Sequence, residues 1–166
     1  MTRIHLITKI NAPLEMVFDL ARDIDVHQFS ASQTDEKAIA GTTSGLIGLG
    51  ETVTWKGKHF GLNLQHRSKI TEFEFPTYFV DEMMKGHFKK FRHEHFFSGS
   101  GNRTIMIDDL RYETPFGFLG KCFDKLLLKN YLTKFLKTRN QAIGELAEKS
   151  FKSAVPSRLA EDQQQH

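Results

Sequence analysis

The sequence predicts an α+β domain in which a curved antiparallel meander wraps a long C-terminal helix. Three observations predict it. Five or six consecutive segments alternate apolar and polar residues at period two. The connections between them are too short to hold a crossover helix, so neighbours pair antiparallel. Between Leu119 and Leu146 the apolar residues recur at helical spacing. A chain of 166 residues suits one domain, and at that size about two thirds of the unfolded surface can be buried without a disulfide or metal staple. We expect the domain to occupy residues 1–149 and residues 150–166 to form a disordered tail, because the chain beyond Lys149 turns polar, contains Pro156 and ends Glu-Asp-Gln-Gln-Gln-His.

The elements follow in order. Ile4, Leu6 and Ile10 alternate within Arg3–Ile10 and predict a strand. Pro13 opens a helix at a position where its missing N–H costs nothing, and Glu15 favours the positive end of the helix dipole. Leu14, Val17, Phe18 and Ala21 give that helix an apolar face through about Asp23, and a short helix or turn follows at Asp25–Phe29. Glu36–Ala40 is a candidate strand, and glycines at 41, 45, 48 and 50 mark an irregular connection. Glu51–His59, Phe60–Phe73, Thr77–Met84, Phe88–Phe97 and Arg103–Glu113 read as strands. In the C-terminal helix, Leu119, Cys122, Phe123 and Leu126 share one face, whereas Tyr131, Leu132, Phe135, Ile143 and Leu146 centre on nearly the opposite face. A straight helix cannot bury both stripes against one surface, so a bend or break is expected near Leu128–Asn130.

Composition excludes several classes. One cysteine, Cys122, rules out a disulfide framework and a thiolate-rich zinc site. Fifteen Phe against three Tyr and one Trp indicate aromatics spent on filling apolar volume. The longest uncharged run, Ala38–Gly50, is too short and polar to span a bilayer, and no export segment opens the chain, so we expect a cytoplasmic protein. The net charge is +3, and Phe116–Lys149 holds seven Lys or Arg against three acids. The lysines interleave with apolar residues and no nucleic-acid motif accompanies them, so no nucleic-acid partner is expected. Such a basic helix does permit transient contact with an anionic membrane surface. The Gly45–Gly50 run lacks the Gly-Lys-Ser/Thr ending of a phosphate loop, no Gly-x-Ser-x-Gly elbow exists, and no cofactor is expected.

Several motifs resemble the START-like (SRPBCC) superfamily, and its polyketide cyclase/dehydrase and coenzyme-Q-binding branch in particular. They are Ile10-Asn-Ala-Pro-x-x-x-Val17-Phe18-Asp-Leu-Ala21-Arg-Asp23, Gly45-Leu-Ile-Gly48-Leu-Gly50-Glu-x-Val53-Thr-Trp55, His59-Phe60-Gly61, Phe79-Val-Asp81-Glu-Met-x-x-Gly86-x-Phe88, His93-Glu-His95-x-Phe97, Thr104-x-x-x-Asp108 and Pro115-x-Gly117. They run collinearly from about Arg3 to Glu148. The resemblance implies a helix-grip fold, with a seven-stranded antiparallel sheet around the C-terminal helix and a hydrophobic ligand cavity between them. Function carries over less far, since one fold hosts many chemistries.

The residues of chemical interest sit on the strands. His93 and His95 share a strand face with Phe91 and Phe97. They read either as structural imidazoles or as ligand-contacting and acid/base groups. A metal pair would need a further ligand from His59, His66, Asp81 or Asp108, no spacing demands one, and no metal site is expected. Asp81 alternates with Phe79 and Met83, and Asp108 with Met106 and Leu110, so each acid must be paired or protonated. For Asp81 the expected partner is an Arg or His on a neighbouring strand; for Asp108 a contact with His93 or His95 is equally in view. Trp55, Leu62 and Leu64 would face the gap between sheet and helix if the strand parities hold, as would Phe79, Met83, Phe91 and Phe97. Met106 and Leu110 join them, and the helix would add Phe123, Leu127 and Tyr131. The leading expectation is binding or transport of an apolar small molecule, such as a lipid, quinone or polyketide-like compound. The alternative is a cyclase or dehydratase in which His93, His95 and Asp108 move protons.

Overall fold

Strand β1 (Thr2–Ile10) begins the chain and ends up beside the last strand rather than the next one. The computed structural model describes residues 1–162, with side chains described through residue 154. Two helices follow β1, α1 (Leu14–Ala21) and α2 (Ile24–Ser30), and then one 3₁₀ turn, Ser32–Thr34. Asp23 starts α2 by accepting hydrogen bonds from the Asp25 and Val26 N–H groups, which satisfies two donors that a helix start leaves unpaired. The meander comprises β2 (Lys37–Gly41), β3 (Thr52–His59), β4 (Leu62–Glu74), β5 (Tyr78–Lys85), β6 (Lys90–Ser100) and β7 (Arg103–Glu113). All pairings are antiparallel, and the seven-stranded order is β1-β7-β6-β5-β4-β3-β2. Register shifts in β2 between Ala38 and Ala40, and between β4 and β5 at Arg67/Ser68 and Ile70/Glu72, add local twist.

That helix begins as α3 (Gly117–Phe123), passes through a π-helical turn at Asp124–Leu128 and continues as α4 (Lys129–Asp162). The rotation of the apolar stripe is therefore absorbed by one wide turn, just before the expected Leu128–Asn130, and no break interrupts the helix. The helix also extends past the expected domain boundary at Lys149. Phe151 packs against the core, and the segment expected to be disordered is helical to Asp162; residues 163–166 lie outside the described residues.

Two apolar clusters hold sheet and helices together. The first gathers around Phe18, which is fully buried and meets Phe73, Phe75, Phe79 and Phe97 with ring centroids 5.1–5.5 Å apart. Edge-on packing of this kind suits the ring quadrupoles, and burying one such side chain stabilises by about 1.5–3 kcal/mol. The second contains Ile4, Leu110, Tyr112, Leu128 and Leu136. Between them, the inward faces of β6 and β7 carry His95, His93 and Asp108 where the flanking inward positions carry Phe97, Met106 and Leu110.

Candidate functional site

Sheet and helix do not close completely. A cavity of about 210 Å³ lies between β3–β7 on one side and the helical run from Leu128 to Arg139 on the other. Strand alternation builds its sheet wall: Trp55, Gly57 and His59 from β3, Leu64, His66, Ser68 and Ile70 from β4, Phe79 and Asp81 from β5, and Phe91, His93 and His95 from β6. The inward parity read for β6 is the one the structure has, with His93 and His95 buried while Glu94 on the outer face meets Arg92 and Arg111.

Two polar groups interrupt the apolar wall. In the first, Asp81 stands opposite His93 in the β5–β6 ladder and His95 stands opposite Asp108 in the β6–β7 ladder. His93 Nε2 lies 2.9 Å from Asp108 Oδ1, and His95 Nδ1 is 3.2 Å from the same oxygen but makes no hydrogen bond. The other ring nitrogens point the opposite way, His93 Nδ1 at 3.9 Å and His95 Nε2 at 3.6 Å from Asp81 Oδ2. Behind them, the Asn140 side-chain amide donates to Asp108 Oδ2 at 2.6 Å, and the Arg139 guanidinium lies 3.6 Å from Oδ1. Burial pushes the Asp108 carboxyl up, but the contacts with His93 and His95 outweigh it and hold it well below the usual carboxylate range. Burial, reinforced by His95, pushes the His93 imidazole down against the pull of Asp108. Asp108 is thus a fixed acceptor and His93 is neutral near pH 7.

In the second group, Glu36 lies between two imidazoles, 2.7 Å from His27 Nε2 and 3.2 Å from His59 Nε2. Burial raises its carboxyl, but the bonds to His27 and His59 prevail and bring it down to about 2. His59 Nδ1 is 2.7 Å from the Tyr131 hydroxyl, and His27 stacks on Trp55 at 4.1 Å. His66 lies on the same wall, its imidazole pushed down by burial.

Of the residues singled out from sequence, Trp55, His59, Leu64 and His66 line the cavity, as do Phe79, Phe91, His93, His95, Leu110 and Tyr131. Seven do not. Phe97 and Met106 are inward-facing but are consumed by the Phe18 cluster. Asp108 is wholly buried behind the imidazoles, a supporting group rather than a wall. Met83 packs near the Gly86 turn beyond the cavity wall, and Leu62, at the tip of the β3–β4 hairpin, is 63% exposed. Leu127 is 56% exposed because the π turn inserts one residue and hands its inward place to Leu128. Phe123 lies outside the cavity, edge-on to Phe60 at 5.4 Å. Sequence reasoning missed His27, Glu36 and Arg139. Arg139 had a signal: it falls on the stripe of Leu132, Phe135 and Ile143, where a surface residue has no place.

Outside the cavity, the start of the C-terminal helix is an apolar surface. Phe116, Phe118, Leu119 and Leu126 are each more than 70% exposed, with exposed Lys121, Lys125 and Lys129 among them. Phe60 lines the cavity and, half exposed, joins this surface through Phe123. No helix among the described residues is long and apolar enough to cross a membrane.

No protein-family model matches the chain, and no curated protein matches it. Solved structures do. TTHA0849 from Thermus thermophilus superposes with a TM-score of 0.68 at 18% identity, over 86% of this chain and 97% of that one. A START superfamily protein from Mycobacterium smegmatis gives 0.66 at 14% identity, over 89% and 97%. Ginseng major latex-like protein 151 from Panax ginseng gives 0.64 at 13% identity, over 88% and 97%. At these identities a likeness speaks for the fold, and the chain has the START-like helix-grip fold that its motifs resemble.

Proposed function

We propose that the protein binds an apolar small molecule, of lipid, quinone or polyketide-like chemistry, in the cavity between sheet and helix. One observation carries this reading: an apolar-walled cavity of about 210 Å³ whose polar groups are gathered at fixed points. A dry engineered cavity of about 150 Å³ takes up benzene, so this volume accepts a ring-sized or larger apolar group. Burial of the ligand's apolar surface drives binding, and the imidazoles orient its polar end. The apolar surface at Phe116–Leu127 supports contact with an anionic membrane, where Phe118 and Leu119 enter the headgroup boundary and the lysines meet lipid charge. The site works in the cytoplasm on this reading, where a lone Cys122 needs no partner.

Native mass spectrometry of protein purified from its own host tests the binding reading. A co-purified apolar molecule is the expected result; protein that arrives empty and takes up no apolar compound contradicts it. Co-sedimentation tests the membrane contact: vesicles of phosphatidylcholine with phosphatidylserine retain the protein, pure phosphatidylcholine retains less, and the Phe118→Asp/Leu119→Asp pair abolishes retention. Equal retention of the pair variant overturns that contact.

A second reading rests on the convergence of Asp81, His93 and His95 on one point of the wall. There His95 would move a proton and Asp108 would hold the imidazole orientation. His95→Phe separates the two. A lost orienting bond lowers affinity several-fold, at about 1 kcal/mol, whereas a lost acid/base group lowers a rate by roughly a hundredfold or more.

A further inference from the structure

We propose that Asp81, His93 and His95 form a binding site for one divalent first-row transition-metal ion of the zinc or iron(II) type, with Asp108 as the carboxylate behind the two imidazoles. The proposal goes beyond ligand binding and revises the sequence-based expectation of no metal site. Among the described residues, these three are the one group of His, Cys, Asp and Glu side chains whose donor atoms all lie within 4.8 Å of one another.

The sheet register creates the site. Asp81 and His93 are direct partners in the β5–β6 ladder, and His95 follows two residues later on the same face. Donors bound at about 2.1 Å and tetrahedral angles stand roughly 3.4 Å apart. The gaps here, 3.9 Å from Asp81 to His93 and 3.6 Å from Asp81 to His95, need only a small contraction. The imidazole rings are already close, with centroids 3.8 Å apart.

The hydrogen bonding around the cluster leaves ligating atoms facing one another that a cation would bridge. An ionised carboxylate only accepts, and a neutral imidazole has one donor and one acceptor nitrogen. Asp108 takes the His93 Nε2 proton and faces His95 Nδ1. His93 Nδ1 is then left with a lone pair facing Asp81, and His95 Nε2 lies 3.6 Å from the same carboxylate. Two imidazole nitrogens and one carboxylate oxygen, each able to ligate a metal ion, converge on one point. One metal ion would take all three as ligands. Charge agrees, because two carboxylates, Asp81 and Asp108, stand in the cluster against one guanidinium, Arg139. Asp108 also stands where the outer carboxylate of a carboxylate–histidine–metal arrangement stands, and the Asn140 amide orients it. An imidazole and carboxylate donor set selects zinc-like or iron-like ions over calcium and magnesium. The three residues line the cavity together with Phe79 and Phe91, so a fourth ligand would come from the cavity side. An oxygen at the polar end of the cavity's occupant would complete the shell there, and that last step alone rests on the ligand-binding reading.

The test uses the full chain, free of any affinity tag, stripped with a chelator and then loaded with Zn²⁺ or Co²⁺ alone, with no organic ligand. Elemental analysis after desalting should give one Zn²⁺ per chain. Co²⁺ should develop the visible bands of a low-symmetry site, and Zn²⁺ should raise the melting temperature. Asp81→Asn, whose side chain is partly exposed and so tolerates exchange, and His95→Gln should each weaken Zn²⁺ binding at least tenfold. Asp108→Asn should weaken it by about 10–100-fold. His5→Gln, on the outer face of β1, should bind as the parent does and serves as the control. Loss of binding counts only where circular dichroism shows the variant folded. Failure of the parent to retain Zn²⁺, or equal retention by folded Asp81→Asn and His95→Gln, overturns the proposal. Either result leaves the apolar-ligand reading standing, because that reading is tested by uptake of an apolar compound and not by retention of metal.

Discussion

Asp108→Ala is the perturbation that probes the buried polar belt most sharply. The carboxylate is wholly buried and accepts from His93 at 2.9 Å and from Asn140 at 2.6 Å, with the Arg139 guanidinium at 3.6 Å. Truncation leaves two buried donors unpaired, each costing about 1–3 kcal/mol. It also leaves Arg139 without its carboxylate, and breaking a buried ion pair from one side costs about 3–5 kcal/mol. These contributions overlap, and Arg139 keeps its 2.7 Å bond to the Ala21 carbonyl, so we expect about 3–5 kcal/mol in total. For a domain of this size each kcal/mol moves the melting temperature by about 2–4 °C, which makes a drop of roughly 6–20 °C. Asp108→Asn retains the shape and one acceptor oxygen and should lose about 1–3 kcal/mol. Thermal and urea unfolding at pH 7 in the presence of a chelator measures both. An Asp108→Ala variant within about 1 kcal/mol of the parent would refute the reasoning, because it would mean that water reaches the cluster and replaces the carboxylate.

Three further outcomes follow from the same structure. Burial lowers His93 and His66 below the usual imidazole value, so the unfolded chain binds more protons once the pH falls below about 6.5. Stability should therefore be full above that value and decline as the pH falls from about 6.5 to 5.5, and His66→Gln should flatten the decline; a melting temperature that rises on acidification contradicts this. A Cβ on Gly120 would sit 1.8 Å from the Pro115 carbonyl oxygen, so Gly120→Ala should force α3 to shift and lower stability by about 1–3 kcal/mol in urea melts, with an unchanged midpoint as the opposing result. Deleting Leu126 removes the extra residue of the π turn and should yield a regular helix that melts near the parent, whereas deleting Lys137 should rotate half the helix out of register and unfold the domain; equal effects of the two deletions would contradict that account of the turn.

What could be read from sequence follows from how locally each feature is determined. The strands were legible because one face meets the core or cavity and the other meets water, so β6 announces its inward set as Phe91, His93, His95 and Phe97. The turn in the helix was legible as a rotation of its apolar stripe, but its form was not: a kink and a π turn correct the same phase error, and packing against the sheet selects between them. The cavity boundary was not legible, since Phe97 and Phe91 share one pattern, yet only Phe18 decides which is packed solid. The Glu36 group was invisible for another reason. His27, Glu36, His59 and Tyr131 come from α2, the residue before β2, the end of β3 and α4, and they meet only through tertiary packing. Asp81 was expected to pair with an Arg or His holding strands together; its neighbours are His93 and His95, and it borders the cavity.

The central claim is that the space between sheet and helix takes up an apolar molecule, and Trp55 tests it most directly. It is the single tryptophan of the chain, lines the cavity and stacks on His27. Its fluorescence should transfer to anilinonaphthalenesulfonate in a saturable one-to-one titration, and a quinone or fatty acid should displace the dye. Ser68→Phe, which places a ring in the cavity from β4, should abolish the transfer while the fold is retained. Transfer that persists unchanged in folded Ser68→Phe, or a parent protein that shows none, would contradict the account.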